Sequence, residues 1–455
     1  MARRFAICSR RVVIDERPEP AAIIIDDGLI EAISTLDELD PSLPTQDFGD
    51  HVVMAGLIDA HVHVNEPGRT EWEGFESATR AAAAGGITTI VDMPLNASPV
   101  TTTVDHLDEK RRAAAGKLWV DTGFYAGLVP GNEEHIAPLL DAGALGVKAF
   151  LCHSGIDDFP NATERELRAV MPLLARRANP LLVHAELVDN LAPTGDENPQ
   201  SYDAYLASRP PRFELRAIEM LIELCRETKC PLHIVHLACA DALTMLREAR
   251  AGGLPITVET CPHYLNFAAE DIPDAAPLYK CAPPLRDDHN RRRLLSALQE
   301  GVIDLVATDH SPSPPELKEL ESGDLRRAWG GISSLQLLLP ALWTATAPHG
   351  ATPVDIARWT SAAPAKLLKL DDRIGAIAPG HRANLVVWDP DASFTVEANQ
   401  LHHRHKITPY SDMSLRGVVR ATYLRGHQIF DGTTLASDPR GRPITAPHSL
   451  VTDSS

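Results

Sequence analysis

The chain has 455 residues, 44% of them hydrophobic, with seven cysteines and a formal net charge of −19. That length allows more than one domain around a large core, and that charge excludes a nucleic-acid groove or an anionic membrane surface as the partner. The cysteines form no C-x-x-C pair, the start "MARRFAICSRRVVIDERPEP" lacks the apolar stretch of a signal peptide, and no run nears the ~18 apolar residues of a membrane span; a soluble cytoplasmic protein is expected.

The chain opens with short strand-like runs, "RRVVID" and then "AAIIIDDGLIEAI", where Asp26-Asp27-Gly28 between apolar stretches signals a hairpin. The texture then changes. Apolar runs "VMAGLIDA", "GITTIVDM", "WVDTGFYAGL", "LGVKAFLC", "PLLVHAE", "PLHIVHLA", "PITVETC" and "IDLVATD" alternate with amphipathic stretches. Among the latter are "FESATRAAAA", stopped by Gly85-Gly86, then "TERELRAVMPLLARRA", "FELRAIEMLIELCRET" and "NRRRLLSALQE". Eight strands with helical crossovers predict an α/β fold, a (β/α)8 TIM barrel over residues 55–377. Strand-like runs return in "HRANLVVWDP" and "VVRATYLRGHQIFDG". Residues 1–54 and 378–455 are therefore expected to meet in one small β-sandwich domain.

Chemistry in such a barrel sits at the C-terminal ends of its strands. On the first strand Asp59, His61 and His63 alternate, so period two places them on one face. Lys148 lies on the fourth, His184 ends the fifth, His236 the sixth and Asp309 the eighth. Taken singly, each has an ordinary structural role: a hydrogen-bonding histidine, a snorkelling lysine, an aspartate capping a turn. Their conjunction at strand ends points to a metal centre. His402, His403 and His405 in "LHHRHK" fit no such pattern and read as loop or interface residues.

Four imidazoles and one carboxylate suit Zn²⁺, with Co²⁺, Mn²⁺ and Ni²⁺ as alternatives, and they are many for one ion with an open position. Two divalent ions are the better match. An ammonium at Lys148 would be repelled by them, but a lysine desolvated at a strand end loses its proton more easily. Its amine can take up CO2 as a carbamate, an anion able to bridge two cations. A hydroxide held between the ions would be a nucleophile near neutral pH, one ion could stabilise a developing oxyanion, and Asp309 could accept a proton and pass it on. Asp59, on the same face, is expected to orient an imidazole from behind, with the opposite assignment open.

"DAHVHV", "GVKAFL", "VHAE", "VHLA", "CPHYL", "PPLR", "ATDHSP" and "GHRANLVVWD" together resemble the amidohydrolase superfamily, and within it the cyclic amidohydrolases, over nearly the whole chain. "HVHVNEPGRTEWEGF", "AWGGISSLQ", "DHSPSPPELK" and "HKITPYSDMSLRGVVRATYLRG" are most similar to the allantoinase family. The resemblance implies His61, His63, Lys148 as a carbamate, His184, His236 and Asp309 as metal ligands, hydrolytic opening of allantoin to allantoate, and a homotetramer or dimer.

Related families sharing these ligands act on other rings. Dihydroorotases carry an Arg two residues after the second histidine of H-x-H, and a His four residues after the catalytic aspartate, to hold a substrate carboxylate. Asn65 and Ser313 stand at those positions here. Both cations are missing, so a neutral ring with an amide-like arm suits Asn65 and Asn96 better. Hydantoinases carry a Tyr five residues after the lysine; here it is His153, which either contacts substrate or caps its loop. Cys281 and Ser334 fall in the family's substrate-side segments, with contact through backbone or side chain. "EPGRTEWEGF" is expected to form a loop beside the site.

Overall fold

The computed structural model describes residues 4–14, 17–189 and 198–446. Eight parallel strands form the barrel: Leu57–Val62, Ile87–Asp92, Asp121–Phe124, Val147–Phe150, Leu181–His184, Leu232–Ile234, Ile256–Thr260 and Leu305–Val306. The third strand breaks at Tyr125; its short continuation Ala126–Gly127 pairs with the fourth strand. A bridge between Val62 and His310 joins first and last strands and closes the ring.

The helices start and stop where their local chemistry demands. Phe75–Ala84 ends at Gly85, followed by Gly86 at φ 83°. Glu164–Arg177 begins with a capping box in which Thr163 and Glu166 satisfy each other's backbone amides. Asp287 caps Asp288–Gln299 by accepting from the amide of Asn290. Their apolar faces and the outward faces of the strands share one continuous core.

The run "VMAGLIDA" is not one strand. Val52–Ala55 belongs to a separate sheet and Leu57–Val62 to the barrel, with the break at Gly56. A Cβ on Gly56 would lie 2.3 Å from Cγ2 of Thr88, so only glycine lets the chain pass there. That second sheet has eight strands from both chain ends, with Val52–Ala55 paired to Arg4–Val13 on one side and Leu385–Thr395 on the other. Its inward side chains, including Ile7, Ile23, Val53, Leu385 and Tyr423, meet in their own core. Tyr423 bonds Gln46 across that core at 2.6 Å, so the sheet folds back on itself. The expected hairpin turns at Asp27-Gly28, both at positive φ. Beyond Phe430 the chain leaves this sheet. Pro443 bridges to Thr122 on the third barrel strand, and Ile444 packs with Ile58 and Leu145.

Candidate active site

His61, His63, Lys148, His184, His236 and Asp309 all come to the C-terminal end of the barrel and all are buried. The aspartate is the hub. Its Oδ1 lies 3.3 Å from Nε2 of His61 and 3.3 Å from Nε2 of His63. Ligand atoms of His61, His236 and Asp309 lie within 4.8 Å of one another. Nδ1 of His184 faces Nε2 of His236 at 3.0 Å, and the two rings stand edge to face. Lys148 is 0% exposed, with its Nζ 4.9 Å from the Phe150 ring centroid, a ring that stacks on His184.

Nζ of Lys148 and Nδ1 of His236 are buried without a hydrogen-bond partner among the described residues. Such atoms are costly to leave unsatisfied. Burial pulls the Lys148 ammonium down to about 8, against the opposing pull of the Asp309 and Glu259 carboxylates. The Asp309 carboxyl stands well below its ordinary range: burial alone would raise it, but the imidazoles of His61, His63 and His236 outweigh that. Converging nitrogen and oxygen donors, two of them buried without a hydrogen-bond partner among the described residues, are a donor set that fits divalent cations.

Buried carboxylates hold these groups from behind. Glu259, on the seventh strand, accepts from Nδ1 of His61 at 2.7 Å and from the His236 amide at 3.2 Å. Burial would raise its carboxyl, yet His61 and His233 hold it down at about 2. Glu186 accepts from Nε2 of His184 at 2.7 Å and is itself gripped by Arg209. Both acids lie within strand runs, "PLLVHAE" and "PITVETC", and are not among the residues the sequence assigns to the site. Their signal is that a metal-binding histidine donates its other N–H to a carboxylate. Asp59 has a different task from orienting a ring. It accepts from the backbone amides of His61 at 3.2 Å and Thr308 at 3.1 Å, tying the first strand to the end of the eighth. Burial pushes its carboxyl up to about 7. Asp92 accepts from the Val64 amide at 2.8 Å and pairs with buried Lys110 at 2.6 Å, fixing the chain just past His63.

A cavity of about 630 Å³ opens above the cluster, with His61, His63, His184, His236 and Asp309 among its lining. Asn96 and His153 also line it. The Asn96 amide is 3.4 Å from Nδ1 of His63, and its Oδ1 has no partner among the described residues. His153 stands at the rim with its side chain 63% exposed, accepting from the Gly155 amide at 3.1 Å. Asn65, Cys281 and Ser334 are buried outside the cavity wall. The Cys281 carbonyl is taken by the Tyr205 hydroxyl, and the Ser334 amide donates to Nδ1 of His310. Asn65 donates to the Pro312 carbonyl at 3.3 Å, so it lies next to Ser313. Neither Asn65 nor Ser313, the two positions at which a carboxylate clamp is expected, carries a cation.

The loop "EPGRTEWEGF" braces this wall. Glu73 is fully buried; it accepts from the Arg404 amide at 3.2 Å and lies 3.6 Å from Nε2 of His310, next in sequence to Asp309. His405 meets the Glu71 carbonyl at 2.8 Å. His403, expected on a loop or interface, is buried with its ring 5.6 Å from that of His310. The segment is a loop, as expected; His403 is buried within it while Arg404 and Lys406 are exposed.

The amidohydrolase family model matches residues 52–429. The allantoinase of Streptomyces avermitilis is 46% identical over 96% of this chain and 97% of its own length. The allantoinase of Saccharomyces cerevisiae is 40% identical over 96% of this chain and 98% of its own. Among solved structures, the L-hydantoinase (dihydropyrimidinase) from Arthrobacter aurescens superposes with a TM-score of 0.92 at 30% identity, covering 97% of this chain and all (100%) of that one.

Proposed function

The chain belongs to the amidohydrolase family, and from that premise we propose that it opens the ring of allantoin by hydrolysis, giving allantoate. It is a hydrolase of cyclic-amide C–N bonds acting on a small molecule. One observation carries the choice of site: His61, His63, His184, His236, Asp309 and the unpartnered amine of Lys148 meet at one end of the barrel, under a cavity. The meeting of Asn65 with the Ser313 segment, without a cation, supports a neutral ring over an anionic one.

Held by those six residues, two divalent ions would supply a water ionised near neutral pH and positive charge against the carbonyl oxygen. Zinc suits the imidazole and carboxylate donors, as do cobalt, manganese and nickel. Lys148 joins the set once its ammonium gives up one proton and the neutral amine takes up CO2: an N–C bond forms as one C–O π bond of CO2 opens onto oxygen, a second proton leaves the nitrogen, and the side chain becomes an anionic carbamate. Burial, which depresses its ammonium, favours that step. Asp309 is ionised at neutral pH and is the proton carrier, taking a proton from the attacking water and returning it to the leaving ring nitrogen. Glu259 and Glu186 keep His61 and His184 in the tautomers that face the cavity. Asn96 and His153 contact the substrate from the wall, and Asn65, Cys281 and Ser334 shape the surface beneath it.

A homotetramer or dimer and a cytoplasmic setting complete the proposal. All seven cysteines are free and buried, in keeping with a reducing compartment, and no helix among the described residues is long and apolar enough to cross a membrane. Dihydropyrimidinase or hydantoinase activity is the alternative, weakened by His153 at the tyrosine position. The test is direct. Purified metal-loaded protein is offered allantoin, dihydroorotate, hydantoin and dihydrouracil, and ring opening is followed alongside metal content. Allantoin is opened fastest if the reading holds; preference for any other ring overturns it.

A further inference from the structure

We infer that Trp329 is the specificity-determining wall for the ureido arm of the substrate, and that Trp72 is the positioning residue that sets it. The inference rests on the proposed reaction. Trp329 lines the cavity. Trp72 stands edge to face against it with ring centroids 4.9 Å apart, a geometry aromatic pairs favour. Trp72 is itself held by the guanidinium of Arg69, 5.6 Å from its ring centroid. The same Arg69 donates to the Asn96 carbonyl at 2.9 Å, so one loop fixes both an aromatic plate and a free amide of the wall.

The far end of the Trp329 ring abuts Gly155. A Cβ there would lie 3.2 Å from Cη2, and Gly155 also has φ of 99°, so a side chain at this position would crowd the indole. The backbone is strapped as well. The Trp329 amide donates to the Leu317 carbonyl at 2.7 Å, and buried Lys318 reaches the Trp329 carbonyl at 3.2 Å. Lys280 holds the preceding carbonyls of Arg326 at 3.2 Å and Ala328 at 2.6 Å.

A rigid indole and the free Oδ1 of Asn96 line the same cavity, and together they match a planar group with N–H donors along its edge. A ureido arm is such a group. The ring that opens must sit over Asp309 and the histidines, so the arm is the part left for the wall. This also gives a role to the "TEWEGF" segment, which the ligand cluster does not use.

The test compares allantoin with hydantoin, the same ring without the arm, used as substrate or competitive inhibitor of the metal-loaded full chain. In Trp329→Ala, the KM for allantoin is expected to rise about tenfold, the size of one lost aromatic contact face, while kcat stays within about twofold. The inhibition constant of hydantoin is expected to stay unchanged. Trp72→Ala is expected to act in the same direction, and Trp72→Phe to restore most of the KM. Parallel losses for allantoin and hydantoin, or no change in KM for Trp329→Ala, overturn the inference while leaving the proposed reaction standing. Wild-type protein that fails to open allantoin overturns both.

Discussion

Nδ1 of His61 donates to Oε1 of Glu259 across 2.7 Å, and neither side chain is reached by solvent. The carboxylate fixes which imidazole nitrogen faces the cavity and raises its strength as a donor to a cation. Glu259→Gln keeps the shape and an acceptor oxygen but removes the charge. Metal affinity or turnover is expected to fall by about 10–100-fold. Metal analysis after dialysis against a graded chelator measures the first, and steady-state kinetics the second. Unchanged values for both would show that the pair serves packing alone.

Lys148→Ala is expected to lose bound metal and activity together, because it removes the proposed carbamate. Short carboxylic acids added to that variant are expected to restore part of the turnover. The wild-type side chain makes a pH prediction too. CO2 reacts with the neutral amine, whose fraction grows as pH rises toward about 8. Reactivation of metal-free, bicarbonate-stripped protein is therefore expected to quicken by about tenfold or more between pH 6 and pH 8. Substantial activity of Lys148→Ala without any added acid contradicts the assignment.

Asp309→Asn is expected to leave the fold intact while turnover falls by at least about 10², the range for loss of a positioned acid–base group. Circular dichroism and kinetics on the same preparation separate the two effects. Near-normal turnover would falsify its role as proton carrier.

Asn65→Arg is expected to lower kcat/KM for allantoin by at least about tenfold, since a larger side chain must displace the Pro312 segment that follows Asp309. Dihydroorotate is expected to remain unopened, because Ser313 still supplies no second cation. Assaying both rings in one variant decides the point: a gain on dihydroorotate would mean that Asn65 alone sets the choice of ring.

Lys110→Met is expected to destabilise the protein by about 3–5 kcal/mol, the cost of stranding the buried Asp92 carboxylate. The shift of the urea midpoint measures it. The double change Asp92→Leu with Lys110→Met is expected to recover much of that loss in stability, although the Val64 amide then lacks its acceptor and the chain beyond His63 loosens.

The barrel and the cluster at its end are legible because apolar runs recur between helical stretches. Apolar runs marked every strand, and reactive side chains marked the strand ends. Glu259 and Glu186 were visible but carried no signal of their own, since an acid inside a strand run declares its role only once its imidazole partner is known. Gly56 hid a change of sheet inside what reads as one strand; only the packing of Thr88 reveals it. The walls were hardest to read. Trp72 and Trp329 lie 257 positions apart, and only their contact in the folded chain joins the two loops.

Glu73 and Arg404 are separated by 331 positions, yet the arginine backbone completes the environment of that buried acid. A chain still emerging from the ribosome would build most of the barrel with this carboxylate waiting for a partner not yet made. Long-range closure of this kind comes late, after local strand and helix pairings have formed. Closure of the loop around Glu73 thereby waits on the segment around Arg404, far along the chain.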